Sequence, residues 1–181
     1  LAALSTPGEL AQAASEILGQ VLKASRAGYG SIDEREETLT VDRDWTAPGV
    51  ATLVGAARWR DHGASIDRLQ QGELIAIADV RLDARTASTA GALELQSARS
   101  LVHVPIMENG RLAAVCFVHC DRVREWEAHE LDLIREVGQR TRVSVERARG
   151  HIALLESEAR LREANETLEH KVEQRTAELM E

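Results

Sequence analysis

Aromatic rings are scarce in this chain of 181 residues, which has three Trp, one Tyr and one Phe. Tyr29, Trp45 and Trp59 are therefore marked positions, suited either to a core or to the wall of a pocket. Positive charge is also short: 22 Lys and Arg stand against 30 Asp and Glu, a net charge of −8 that argues against nucleic acid as a partner. No apolar run approaches the roughly 20 residues that span a bilayer, and no basic, apolar, small-residue signal peptide opens the chain. The two cysteines, Cys116 and Cys120, would lie about 13 Å apart on one strand, too far to bond to each other. A reduced, cytoplasmic setting follows, and a structural zinc site has too few ligands in range. Beginning at Leu1 and ending on a polar helical pattern, the chain reads as part of something longer.

The most informative stretch is Ser100 to His119, where two apolar runs flank Glu108-Asn109-Gly110. A Gly after Asn between such runs is a strong signal for a β-hairpin. A two-residue Asn-Gly loop pairs Glu108 with Arg111 and puts one His on each face. A three-residue loop pairs Met107 with Arg111, with Gly110 in the left-handed conformation. That second register is preferred because it leaves Val102, Val104, Ile106, Leu112, Ala114, Cys116 and Val118 on one wholly apolar face. His103, Phe117 and His119 then share a mixed face that suits a covered pocket. Pro105 lacks an N–H, so its strand needs a free edge or a bulge there.

Upstream, Thr6-Pro7-Gly8-Glu9 is a capped helix start followed by Leu10, Ala14, Ile17, Leu18, Val21 and Leu22 at helical spacing. Gly28–Asp33 and Glu37–Trp45 read as two strands around an acidic turn. Thr46 to Arg60 is irregular, with a turn at Pro48-Gly49. Ala64–Gln71 reads as a short helix stopped by Gly72, Leu74–Val80 as a central strand, and Asp83–Arg99 as helical. After the hairpin, Glu125-Trp126-Glu127 opens a helical pattern of roughly 55 residues, about 80 Å if continuous. From Leu154 its seam becomes Leu154, Glu158, Leu161, Asn165, Leu168, Val172, Arg175 and Leu179, a heptad repeat whose polar members fix register and partner number. Gly150 sits near the change of seam. The expected partner is a second copy, in a parallel homodimer.

This order gives an α+β domain with helices on an antiparallel sheet, and its residues resemble the GAF domains of bacterial sensor histidine kinases. Val104-Pro105-Ile106, Asn109-Gly110-Arg111-Leu112 and Ala114-Val115 are similar to that family's V-P-L, turn, G-x-L-x-G-V strand pair. Trp126 and Glu130-Leu131 resemble the start of its exit helix, and Arg140-Thr141 with Val145-Glu146-Arg147-Ala148-Arg149 the end of the domain. Leu168 to Leu179 resembles a signalling helix. The resemblance implies a GAF-like sensory domain over 1–149 and a coiled-coil signalling helix over 150–181. Asp79-Val80 with Ala84-Arg85 further resembles the D-I-P-x-x-A-R motif of phytochrome-like members, whose Asp faces a bilin, and His119 falls where they carry a chromophore-facing His. Arg81 replaces the Pro, however, and no Cys lies between Val80 and Ser100 for covalent attachment, so covalent bilin is not expected.

Asp79, His103, His119, Tyr29 and Phe117 are the candidate ligand-binding residues. The two imidazoles are of the kind that hydrogen-bond a ligand or bind haem iron, and equally of the kind satisfied by backbone or water. Asp79 is suited to anchor a ligand or to cap the following turn. Cys116 is expected in the core and Cys120 nearer the surface. His151 and His170 lack the acidic neighbour and downstream Pro of a phosphoacceptor motif, and no nucleotide-binding Gly-rich segment follows. The expected function is a non-catalytic sensor that binds an unidentified small molecule and relays to a downstream kinase or further sensor domain. The alternatives are a ligand-free dimerisation domain and a GAF-type methionine sulfoxide reductase, although two cysteines on one strand end do not fit the latter. The N-K-x-F-x-D-E signature of cyclic-nucleotide binding is absent.

Overall fold

A computed structural model of the chain describes residues 6–33, 35, 38–58 and 65–179. The first helix, α1 (Pro7–Val21), begins with a full capping box: Glu9 N–H donates to the Thr6 hydroxyl (3.2 Å) and Thr6 N–H to the Glu9 carboxylate (2.8 Å). Seven antiparallel strands follow, namely β1 (Arg26–Asp33), β2 (Thr38–Val41), β3 (Asp44–Thr46), β4 (Gly55–Arg58), β5 (Ile75–Ile77), β6 (Ser100–Glu108) and β7 (Arg111–Cys120). They lie in the order β4-β2-β1-β7-β6-β5, with β3 beside the first half of β1. Two short helices, α2 (Ser65–Gln70) and α3 (Ala90–Leu95), flank β5 in sequence, and α4 (Ala128–Leu179) leaves the domain. This is the expected α+β fold.

The sheet has a core on each side. Against α1 and α4 lie Leu18, Ala27, Tyr29, Val102, Val104, Ile106, Cys116, Val118, Ile134 and Val145. On the other side, Leu101, Leu112, Val115 and Phe117 pack under Ile66 and Leu69 of α2, Ile75 and Ile77 of β5, Val80 and Ala90. Trp45 belongs to the helical side, where a methyl added at Gly19 would fall 2.0 Å from its ring. The stretch around Trp59, with Glu37 and Ala64, lies outside the described residues.

At its tip the hairpin differs from the preferred register. Asn109 and Gly110 both have positive φ (50° and 78°) and Glu108 pairs with Arg111, so the loop has two residues. Beyond it, Met107 pairs with Leu112 but Ile106 with Ala114, leaving Ala113 as a bulge. The extra residue restores the expected sorting beyond Ala113, while Leu112 joins Val115 and Phe117, and Arg111, paired with Glu108, falls on the face opposite Met107. Pro105 lies where β6 has a free edge, because β5 pairs only as far as His103.

Three other expectations need correction. Leu74–Val80 is not central, since β5 is a three-residue strand at the sheet edge. It reads as central because Ile75 and Ile77 are buried, under α2. Residues 83–99 are helical only in part: a 3₁₀ stretch at Ala87–Thr89 runs into α3, and turns precede and follow it. The Asp79 and Asp83 carboxylates accept the backbone N–H groups of Arg81 and Arg85 (2.9 Å each), local turns that compete with helix. The irregular stretch hides β4, whose Gly-Ala-Ala-Arg carries no strand propensity and is held by pairing with β2.

The exit helix runs for 52 residues, roughly 78 Å. It crosses the sheet closely at Gly138, where an added Cβ would lie 2.9 Å from Cys116 Cβ. After Arg149 its side chains are almost all exposed, including Leu154, Leu155, Leu161, Leu168 and Val172.

Phe117 lies over Gly28 of the neighbouring strand so closely that a methyl there falls 2.1 Å from its ring. Gly28→Ala is expected to cost about 1–3 kcal/mol in urea unfolding. Combined with Phe117→Leu it should cost less than the sum of the two single changes, and strict additivity would show that the ring does not rest there.

Candidate functional site

On the side of the sheet away from α1 and α4, four polar side chains form a row across three strands and β3. Asp44, Arg26, His119 and His103 succeed one another because Gly28 pairs with Asp44, Arg26 with His119, and Leu101 with His119 in the registers of β3, β1, β7 and β6. Arg26 Nε stands 3.8 Å from Asp44 Oδ2, Arg26 Nη1 3.5 Å from His119 Nδ1, and His119 Nε2 3.0 Å from His103 Nε2. A guanidinium only donates, so His119 Nδ1 accepts and the neutral ring carries its proton on Nε2. That proton points at His103 Nε2, which accepts it. This direction is assigned from donor and acceptor chemistry.

The row is deeply set: Arg26 is 1% exposed, and His119 and Phe117 4% each. Burial pulls the Arg26 pKa below its ordinary value, with Asp44 opposing. Arg26 also donates to the carbonyls of Gln96 (2.7 Å) and Ala51, whose neighbours Leu93 and Leu53 pack on the same core. Phe117 packs beside His119 with ring centres 5.3 Å apart. In place of the expected chamber, α2 and Val80 pack on this face beside Ile75 and Ile77 of the edge strand β5. A surface cleft of about 780 Å³ lies instead toward the hairpin tip.

His103, His119 and Phe117 are thus brought together, and the other two candidates are not. Tyr29 pairs with Cys116 and faces the helical core beside Arg142, because side chains alternate along β1. Asp79 is held by Arg99, whose Nε and Nη2 donate to its two oxygens at 2.8 and 2.7 Å. Glu94 extends the network by bridging Arg99 (2.9 Å) and Arg81 (2.6 Å). The Arg99 hydrogen bonds, and then the Arg81 N–H, hold the Asp79 carboxyl below the usual aspartate range. Arg26 was missed by sequence reasoning, although an Arg opening an otherwise small and apolar strand was a usable signal. Arg99, 20 residues from Asp79, offered none.

Both cysteines are buried, Cys120 included, contrary to its expected place nearer the surface. Burial pushes the Cys116 thiol up to about 12, far from a reactive thiolate. A covalent bilin does not fit the residues present: neither thiol lies between Val80 and Ser100, and Asp79 is committed to Arg99. A haem iron bound by either imidazole at Nε2 would have to break the bond between them. No cluster of three or more metal-binding side chains occurs among the described residues, and no helix there is long and apolar enough to cross a membrane.

A model of the GAF domain matches residues 6–145. Among characterised proteins, the chain is 31% identical over 121 residues to the circadian input-output histidine kinase CikA of Thermosynechococcus vestitus, covering 65% of this chain and 16% of the kinase. It is 26% identical over 152 residues to CikA of Synechococcus elongatus, covering 82% and 18%. The chain therefore spans about one sixth of the length of these relatives. Among solved structures, the blue-light absorbing form of the Thermosynechococcus elongatus PixJ GAF domain superposes with a TM-score of 0.68 at 18% identity, over 83% of this chain and 91% of that one. A free methionine-R-sulfoxide reductase from Neisseria meningitidis superposes with a TM-score of 0.62 at 15% identity, over 83% of each.

The Asp79 network makes stability depend on pH. A carboxylate held low in the folded state stabilises it above the unfolded value near 3.9, and that contribution disappears as the pH falls through the folded value. Asp79→Asn is expected to lower stability at neutral pH and to flatten its loss below about pH 4, read by urea unfolding across pH. An unchanged slope would mean that Arg99 does not perturb Asp79.

Proposed function

Since this chain belongs to the GAF domain family, we propose that it works in the cytoplasm as the non-catalytic sensory module of a signal-transduction histidine kinase. It reads a small molecule and relays the result through a paired exit helix to a downstream kinase or further sensor domain. The observation that carries this reading is the buried row of Arg26, His119 and His103. Burying a cation and the His119 imidazole, with His103 half-buried beside them, is costly where packing alone favours apolar groups. Arg26 grips a carbonyl from each covering segment, and a ligand with acceptor groups takes the place of those carbonyls, its body lying on Phe117.

The relay has a short route. The neighbouring strand β5 is tied to the root of α4, because Trp126 Nε1 donates to the Ile77 carbonyl (3.3 Å) and Arg124 N–H to the Ala78 carbonyl (3.1 Å). The Arg124 guanidinium donates to the Leu22 carbonyl and the Glu130 carboxylate, so the end of α1 and the first turn of α4 share one side chain whose backbone N–H holds the end of β5. A ligand acts on the helix only through its different affinities for two arrangements, typically about 1–3 kcal/mol of coupling.

The pairing partner of α4 is a second copy in parallel. Leu154, Leu161 and Leu168 recur at intervals of seven, each more than half exposed, with Glu158, Asn165 and Val172 between them. A lone helix does not keep such a seam in water, and Asn165 selects a two-stranded register. The sulfoxide reductase reading is weaker because both thiols are buried on one strand. A ligand-free dimerisation domain stands as the second reading, supported by the filled face over Phe117.

Protein purified from its source is expected to carry a bound small molecule, seen as extra native mass or a distinct absorption band. The double variant His103→Ala, His119→Ala should lose it and remain dimeric. Retention unchanged by the double variant would remove the row from binding, and a clean apo mass would favour the dimerisation domain.

Leu161→Glu with Leu168→Glu is expected to give monomers by light scattering at micromolar concentration, with the sheet domain's unfolding unchanged. Monomeric protein before substitution would exclude the paired helix.

A further inference from the structure

Toward the hairpin tip, Arg35, Arg111, Arg142 and Arg149 line the cleft of about 780 Å³, with Ile32 and Leu112 as apolar wall. That size suits a small molecule. Four guanidiniums around one concavity reverse the sign of a chain whose net charge is −8. Asp33, Glu108 and Glu146 share the lining. Glu146 binds Arg142 (2.7 Å) and Arg149 (3.1 Å), Asp42 stands 3.8 Å from Arg149, Glu108 binds Arg142, and among the described residues Arg35 and Arg111 have no side-chain ion pair.

The floor of the cleft is unfinished. Arg142 has a side chain 15% exposed, and its buried Nε–H has no hydrogen-bond partner. The Tyr29 hydroxyl lies on the helical-core side, outside the lining of the cleft, and is close enough to Arg142 for the two groups to interact. Burial pushes the Tyr29 pKa up, so the hydroxyl keeps its proton and remains a donor. Orphaned buried donors are rare in folded proteins, and the Arg142 Nε–H calls for an acceptor.

We propose that this cleft binds a small oxyanion, a phosphate or carboxylate group, held by Arg142 together with Arg111 and Arg35. Fork-shaped guanidiniums suit such groups. The anion competes with Glu108 for Arg142 and so loosens the hairpin tip from α4, which gives the exit helix a second input independent of the buried row.

The test is isothermal titration of the 181-residue chain with sodium pyrophosphate and, separately, sodium citrate, at constant ionic strength. Pyrophosphate is expected to bind saturably, about fivefold or more weakly in Arg111→Gln, which removes a cation with no ion pair among the described residues, and more tightly in Glu108→Gln, which removes the competitor. Binding of citrate as well assigns the site to oxyanions in general, and pyrophosphate alone assigns it to phosphates. Absence of saturable binding with either probe, or equal affinity in all three proteins, overturns the proposal. His103→Ala, His119→Ala should bind pyrophosphate normally, which separates this site from the buried row.

Discussion

One extra residue decides what this sheet can do. Ala113 stands opposite no partner, and the step from Met107–Leu112 to Ile106–Ala114 changes which side every later side chain of the hairpin faces. Carried straight through, the tight Asn109-Gly110 loop would separate His103 from His119 onto opposite faces. With the bulge, the two rings meet at 3.0 Å, Phe117 falls over Gly28, and Val102, Val104, Cys116 and Val118 form the uninterrupted floor on which α4 rests.

From that sorting follows a division of labour between the two sides. The helical side is aliphatic and close-packed, with Gly138 letting α4 approach the sheet to van der Waals distance. The opposite side mixes aliphatic packing with a line of charge and imidazole whose outer hydrogen bonds go to the carbonyls of Ala51 and Gln96. Segments held by a few hydrogen bonds open at lower free energy than a close-packed core. The two sides meet at Arg124 and Trp126, which join β5 to the first turn of the exit helix. In the proposed relay, movement of the covering segments reaches the root of a helix 52 residues long through this junction.

Features written in local chemistry were legible in the sequence. Thr6 and Glu9 announce a cap that the structure contains atom for atom, Asn109-Gly110 announces a turn, and the spacing from Leu131 onward announces a long helix. Features set by distant partners were not. Ala113 has no chemical mark of a bulge, β4 is a strand only because β2 lies beside it, and Asp79 looks free until Arg99 arrives from another part of the fold. The candidate site divides the same way. His103, Phe117 and His119 were grouped by alternation along one hairpin, whereas Tyr29, on another strand, falls on the side its own register dictates.

The central claim is that the buried row and the paired exit helix are coupled. Spin labels at Glu169→Cys test it directly, since Cys116 and Cys120 are buried and Cys116 resists thiolate chemistry with a pKa of about 12. The account predicts one short inter-label distance, as in a parallel pair, and a shifted distribution when Arg26→Met removes the grip on the covering segments. No dipolar signal, or the same distribution in both folded proteins, would contradict it.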